Sequence, residues 1–319
     1  MCKILTSFKG IVASTILATT MASATQFITI MTGGVTGTYF PTGGAICKII
    51  NQQKGDTKPI CDVRPSNGSI DNINHLKAGE IDFGLAQSDT VYQIYHGLGE
   101  FKNKKYNNLR SVMAIYPELL ALVVRKDSNI TKLDDIKGKA INIDTCDSGT
   151  HFTVETILQS YGIKNSDFNK LTEIKFKEIP KLLSEHKVDG YFGMFGHPTT
   201  NIKESIYETP VDLIPIKSHY IDELVKKYPY YTKGVIKKET YKGINHDTPT
   251  IGVKAILVTS SDIDEKTVYY ITKTILDNFD KFKKQHPVYK NITKKSLLEG
   301  LTIKQHKGAI KAFKEVGLL

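Results

Sequence analysis

Two short loops carry the residue types that hold small anions. Thr32-Gly33-Gly34-Val35-Thr36-Gly37-Thr38-Tyr39 follows an apolar run and precedes an amphipathic one, and Asp144-Thr145-Cys146-Asp147-Ser148-Gly149-Thr150 does the same in mid-chain. Glycine lets the backbone approach a ligand, hydroxyls donate, and a helix start presents unpaired N–H groups. Open α/β sheets bind ligands at such loops, beyond the C-terminal ends of their strands. The candidate contacts are Gly34, Thr36, Gly37, Tyr39, Ser69 and Gln87 from the first part of the chain, and Ser148, Gly149, Thr150 and Pro198 from the second. Each hydrogen bond to a charged group contributes about 1.5–3 kcal/mol, so a few from each side reach the roughly −8 kcal/mol of micromolar affinity. Taken alone, the second loop also reads as an ordinary capped helix.

Other chemistries fit less well. Cys146 stands five residues before His151, with Asp144 and Asp147 near, but nothing in the pattern demands a nucleophile–base pair. The nine histidines are dispersed, with no H-x-x-x-H or paired C-x-x-C, so no metal site is expected. Asp62 follows Gly43 by 19 residues, yet the glycines lack the G-x-G-x-x-G spacing of a dinucleotide loop, and no cofactor is expected. The expected role is binding rather than catalysis.

The loops need strands and helices to hold them. Strands are expected at Phe27–Met31, Ile60–Arg64 and Ile81–Ala86, alternating with helices at Tyr39–Asn51, Ser69–Ala78 and Asp89–His96. Leu119–Arg125 is an unbroken apolar run, as is Ile251–Thr259. Between them, Ala140–Asp144, a helix at Thr150–Tyr161, and the segments Ile174–Glu178, Leu182–His186 and Gly190–Phe195 continue the alternation. Two long β runs around a middle α/β unit predict one lobe inserted into another. Lobe one would hold residues 25–117 plus 260–319 and lobe two residues 126–248, with 118–125 and 249–259 as crossover strands.

Residues 1–24 carry Lys3 and Lys9, an apolar stretch from Gly10 and a closing Ala22-Ser23-Ala24, which reads as a cleaved signal peptide and an extracytoplasmic, periplasmic location. Removing 24 of 319 residues leaves 295, enough for two domains, and lowers the formal charge from +10 to +8. The lysines are scattered and only three arginines occur, so nucleic-acid binding is not expected. Cys47 and Cys61 lie 14 apart; in an oxidising compartment a bridge is favoured over two buried thiols.

The ordered motifs resemble those of the TAXI family, the extracytoplasmic solute receptors of TRAP transporters, over the whole mature chain. They are Thr29 to Pro41, Asn67-Gly68-Ser69-Ile70-Asp71-Asn72, Gly79 to Asp89, Leu133 to Lys139, Asp147-Ser148-Gly149-Thr150, Gly196-His197-Pro198, and His306 to Ala309 with Lys314 to Leu318. The resemblance implies a type II periplasmic-binding-protein fold: two α/β lobes joined by two crossover strands, with a ligand cleft between them. It also implies delivery of glutamate-like or 2-oxoglutarate-like carboxylates to a TRAP permease with fused small and large subunits, driven by an ion gradient; the chain itself is expected to be a monomer. Similar members carry a cysteine pair matching Cys47 and Cys61. A sensor or surface antigen without a transport role is the alternative, as is an enzyme on the same fold. Asn67, Asp144, Cys146 and Lys307 depart from the family pattern. Facing the cleft, Asp144 would repel a carboxylate and favour an ammonium group.

Overall fold

The computed structural model describes residues 26–53, 55 and 58–319, so the expected signal peptide lies outside the described residues. The first half of the chain forms β1 (Phe27–Met31), α1 (Tyr39–Asn51), β2 (Ile60–Arg64), α2 (Ser69–Ala78), β3 (Phe83–Gln87), α3 (Ser88–His96) and β4 (Leu109–Arg125). The middle holds β5 (Ala140–Asn142), α4 (Gly149–Ser160), β6 (Lys170–Thr172), α5 (Ile179–Ser184), β7 (Gly190–Phe195), α6 (Thr200–Glu208), β8 (Val211–Ile214), α7 (His219–Lys227) and β9 (Thr232–Ile236). β10 (Thr248–Ser260) then leads to α8 (Glu265–Asp277), α9 (Phe279–Lys283) and α10 (Lys307–Glu315).

The strands build two lobes on one pattern. In lobe one the order is β2-β1-β3-β10-β4, with β2, β1 and β3 parallel and β10 antiparallel to β3. In lobe two β6, β5 and β7 are parallel, β4 runs antiparallel to β7, and β8 pairs on the far side of β4. Each parallel trio is thus closed by an antiparallel strand that also belongs to the other lobe. At the crossing, β4 and β10 pair with each other, Glu118 opposite Val253 and Leu119 opposite Gly252. A side chain at Gly252 would stand 2.5 Å from the Glu118 carbonyl oxygen, so only glycine permits this approach.

Side-chain alternation explains why the crossover runs are apolar throughout. Along β4, Leu120, Leu122 and Val124 pack with Ile141, Val154 and Ile157 on one sheet face, while Ala121 and Val123 pack with Leu183, Tyr191 and Ile202 on the other. Along β3, Leu85 joins Ile30 and Ile46 on one face and Ala86 joins Ile73 and Val91 on the opposite one. Both faces are covered, as parallel sheets require.

Several elements differ from expectation; among them β8, α6 and α7 lie in a stretch where no element was expected. β4 begins ten residues before Leu119, because Pro117 and Glu118 do not interrupt it: Pro117 sits at an exposed position and Glu118 turns inward. β9 is an additional strand, on the edge of β10, with exposed residues that gave no apolar signal. The strand expected at Ile174–Glu178 is at Lys170–Thr172, and Phe176–Glu178 forms a single 3-10 turn. No helix among the described residues is long and apolar enough to cross a membrane.

A disulfide joins Cys47 on α1 to Cys61 at β2. By loop entropy this closure contributes about 3 kcal/mol. The double variant Cys47→Ser/Cys61→Ser is therefore expected to lose that much in urea unfolding, with reductant reproducing the loss in the wild type only. Equal stability of the two proteins would show that the chain does not rely on the bridge.

Candidate functional site

The helix starts converge where the lobes meet. α1 begins at Tyr39, directly after the first glycine loop, and α2 begins at Ser69, whose hydroxyl accepts from the Gln87 amide at 3.0 Å. In lobe two Ser148 caps α4, accepting from the His151 amide at 3.0 Å. The Gly149 and Thr150 amides have no hydrogen-bond acceptor among the described residues, as the geometry of a helix start dictates.

Direct hydrogen bonds hold the lobes together. Gln87 Nε2 donates to Gly149 O (3.2 Å) and Thr153 Oγ1 (2.9 Å), and the Asp71 amide donates to Asp147 O (3.1 Å). Thr38 Oγ1 donates to Gly196 O (2.8 Å). Beside them Asp89, fully buried, accepts from Thr153 Oγ1 at 2.6 Å, the Thr90 amide at 2.7 Å and the Tyr231 hydroxyl at 3.3 Å. Its carboxyl is raised above the usual range by burial, against the pull of these donors. The lobes are shut on a cavity of about 90 Å³.

Eight of the ten candidate residues line that cavity: Gly34, Gly37, Tyr39, Ser69, Gln87, Ser148, Gly149 and Thr150. Thr36 and Pro198 do not. Thr36 faces the other lobe, where its carbonyl accepts from the Asn201 amide (3.0 Å) and Thr199 Oγ1 (3.1 Å). Pro198 follows a cis bond, and its neighbour His197 is tied to the Tyr241 hydroxyl (2.7 Å) and Leu119 O (3.0 Å). The lobe-two wall is instead formed by Met194 and Phe195 at the end of β7 and by Lys175, Phe176 and Lys177. Two further wall residues are acidic, Glu118 and Asp144. A lone carboxylate in the apolar β4 run was the available signal for Glu118, since such a residue is seldom buried without a reason. Cys146 is exposed, and the His151 ring faces Asp144 O (3.3 Å) and Glu155 Oε1 (3.3 Å), so no Cys–His pair forms.

Burial dominates the electrostatics. Glu118 is 2 % exposed and accepts one side-chain hydrogen bond, from the Tyr39 hydroxyl at 2.8 Å. Desolvation lifts its carboxyl to about 8; the Tyr39 hydrogen bond opposes this and the nearby Asp89 adds to it. Asp144, 6 % exposed and left-handed at φ 68°, is lifted by burial to about 7 against the Ser148 hydroxyl, the Thr145 amide, His151 and Lys175. Lys175 and Lys177 are exposed at the rim. Thr145 Oγ1, in the wall beside Asp144, is buried without a partner among the described residues.

Both carboxyls bind protons more tightly folded than unfolded, so their burial costs stability as pH rises from the unfolded carboxyl range through about 7 and 8. The empty protein should lose stability from pH 5 to pH 8.5. Glu118→Gln should flatten that slope, raising Tm at pH 8.5 by a few degrees relative to wild type and little at pH 5. Parallel pH profiles for the two proteins would refute this assignment.

Structural comparison finds solved proteins of the same fold. A ligand-binding component of an ABC-type import system from Staphylococcus aureus, with zinc bound, superposes with TM-score 0.51 and 16% identity, covering 92% of this chain and 93% of its own. A Streptococcus mutans structure of glutathione import, via GshT and the cystine importer TcyBC, gives 0.52 and 13%, covering 83% and 95%. A protein from Bordetella bronchiseptica RB50 gives 0.57 and 13%, covering 91% and 98%. At these identities the likeness establishes the periplasmic-binding-protein fold. The model of the NMT1-like family matches residues 30–317, nearly all of the described chain, and the protein therefore belongs to the NMT1-like family.

Proposed function

We propose that this protein is an extracytoplasmic receptor that captures a small carboxylate between its lobes and hands it to a membrane permease. The observation that carries this reading is the cavity, walled by helix starts and hydroxyls from both lobes and shut by hydrogen bonds between them. The Gly149 and Thr150 amides, the Ser148 and Thr150 hydroxyls and the rim lysines offer donors to a carboxylate. Opposite them lie Gly34, Gly37, Tyr39, Ser69 and Gln87. Lobe one comprises residues to about 117 and from about 260, and lobe two about 126–248, with β4 and β10 as the hinge. A ligand touching both lobes stabilises the shut form by its differential affinity.

The solved relatives described as import components support solute capture. The TRAP-type partner, with fused membrane subunits and an ion gradient as the energy source, rests on the TAXI-like motifs. The same motifs support a glutamate-like amino acid or a 2-oxoglutarate-like dicarboxylate as ligand. The receptor works as a periplasmic monomer after loss of its signal peptide. It needs no catalytic residue.

Closure depends on Gly149. A Cβ there would stand 2.5 Å from Ser69 Oγ and 2.6 Å from Gln87 Cδ, both on the opposite lobe. Gly149→Val should therefore wedge the lobes apart while each retains its own core. In a thermal-shift screen of amino acids and dicarboxylates, the wild type should gain several degrees with its ligand and the variant should not. Solution scattering should show the wild type, but not the variant, contracting with that ligand. Full ligand stabilisation of Gly149→Val would sink the clamp.

A further inference from the structure

We propose that residues 279–298 of lobe one form a basic layer whose lysines dock the protein on an anionic lipid surface. The inference goes beyond solute capture and does not depend on which solute the cleft takes. Lysines are spread along the whole chain, but six fall in this short segment: Lys281, Lys283, Lys284, Lys290, Lys294 and Lys295, against one acid, Asp280. The segment therefore carries a net +5, half of the +10 formal charge of the full chain.

The fold puts these charges on one side of a single layer. α9 is followed by two 3-10 turns, Pro287–Tyr289 and Lys295–Leu298. Phe279, Phe282, Tyr289, Ile292 and Leu297 are buried in the lobe-one core with Ile49 and Ile275, and the Phe282 and Tyr289 rings stack at 4.5 Å. The inner side of the layer belongs to that core. Five of the six lysines are exposed on the outer side, and Lys283, half-buried, reaches over the Phe279 ring at 5.9 Å. Lys48 on α1 joins the same edge, its ammonium donating to Gln285 Oε1 at 3.1 Å. None of the six forms an ion pair among the described residues. The acids flanking the segment are engaged elsewhere, Asp277 with Lys273 at 2.7 Å and Glu299 with Lys254 at 3.5 Å.

Like charges gathered in this way repel one another, and a partner of opposite charge offsets the repulsion. The chemistry of the layer favours a lipid surface over a folded protein. Protein interfaces concentrate aromatic rings and arginine and are poor in lysine. Here the segment holds no arginine, and none of the exposed large apolar side chains among the described residues lies in it. Ammonium groups on flexible stems act as point charges without fixed geometry, which suits the shifting phosphates of a fluid bilayer. The layer also reaches the seam between the lobes: a Cβ on Gly196, just after β7, would stand 2.7 Å from Val288 Cγ2. On the receptor reading, docking would hold that end of the seam beside the membrane.

The test is co-sedimentation with vesicles, using protein purified after export. Vesicles of equal parts phosphatidylglycerol and phosphatidylcholine should carry the wild type down at about 0.05 M salt and release it at about 0.5 M, and phosphatidylcholine alone should not bind it. Each lysine near an anionic surface contributes about fivefold to binding, so Lys281→Gln/Lys284→Gln/Lys290→Gln should bind roughly a hundredfold more weakly. The same three positions changed to arginine should bind like the wild type. Taking the same charge from exposed lysines of lobe two, in Lys137→Gln/Lys170→Gln/Lys226→Gln, should cost far less. All these side chains are exposed, so each variant should unfold at the wild-type temperature. Equal losses in the two glutamine variants would reduce the effect to net charge and overturn the inference. Failure of the wild type to bind anionic vesicles would also overturn it, leaving the layer to an acidic protein surface and the solute clamp untouched.

Discussion

The antiparallel contact between β4 and β10 is the constraint on which the rest of this protein hangs. Two strands pass from lobe to lobe, and at the passage they are bonded to each other, Leu119 against Gly252 and Glu118 against Val253. A single connection would let the lobes twist freely. A paired one ties them along a narrow ribbon, and across it the start of α2 meets the loop before α4, the Asp71 amide donating to Asp147 O. The same ribbon delivers Glu118 to the floor of the cavity. Because each strand also completes the sheet of the lobe it enters, the crossover cannot be loosened without weakening both cores.

Much of this was readable from residue patterns. β1, α1, β2, α2 and β7 have the bounds that their apolar periodicity and flanking glycines imply. The sheet fails to match expectation where the chain breaks a local rule for tertiary reasons. Pro117 and Glu118 look like the end of a strand, yet the proline needs no ladder bond at its exposed position and the carboxyl is held by Tyr39. β9 lies at an edge, where exposed lysine and threonine carry no apolar signal.

The cavity divides in the same way. Loop glycines and hydroxyls at helix starts announce themselves by type and spacing, and most of them reach the wall. Lys175, Phe176 and Lys177 arrive there only because β6 ends early and the chain turns back over β5, which no spacing encodes. Thr36 shows a subtler gap: its side chain was the expected contact, but its carbonyl serves, tying the glycine loop to the start of α6. Backbone groups are identical in every residue, so such roles are invisible to reasoning from side-chain type.

Asp89 has a consequence for the fidelity of transport. It sits away from the cavity wall, fully buried in the seam, where the donors are hydroxyls and amides and no cation among the described residues pairs with it. If the seam parts and shuts, as a receptor's would, each closure would dehydrate Asp89, whether or not a solute is inside. On the reading of this protein as a receptor, that fixed cost is a tax on false signals. A permease that recognises only the shut shape cannot look inside it, and an empty shut receptor would occupy its docking face to no purpose. On that reading, a carboxyl away from the cavity wall would help the shape met by the membrane report a full cleft.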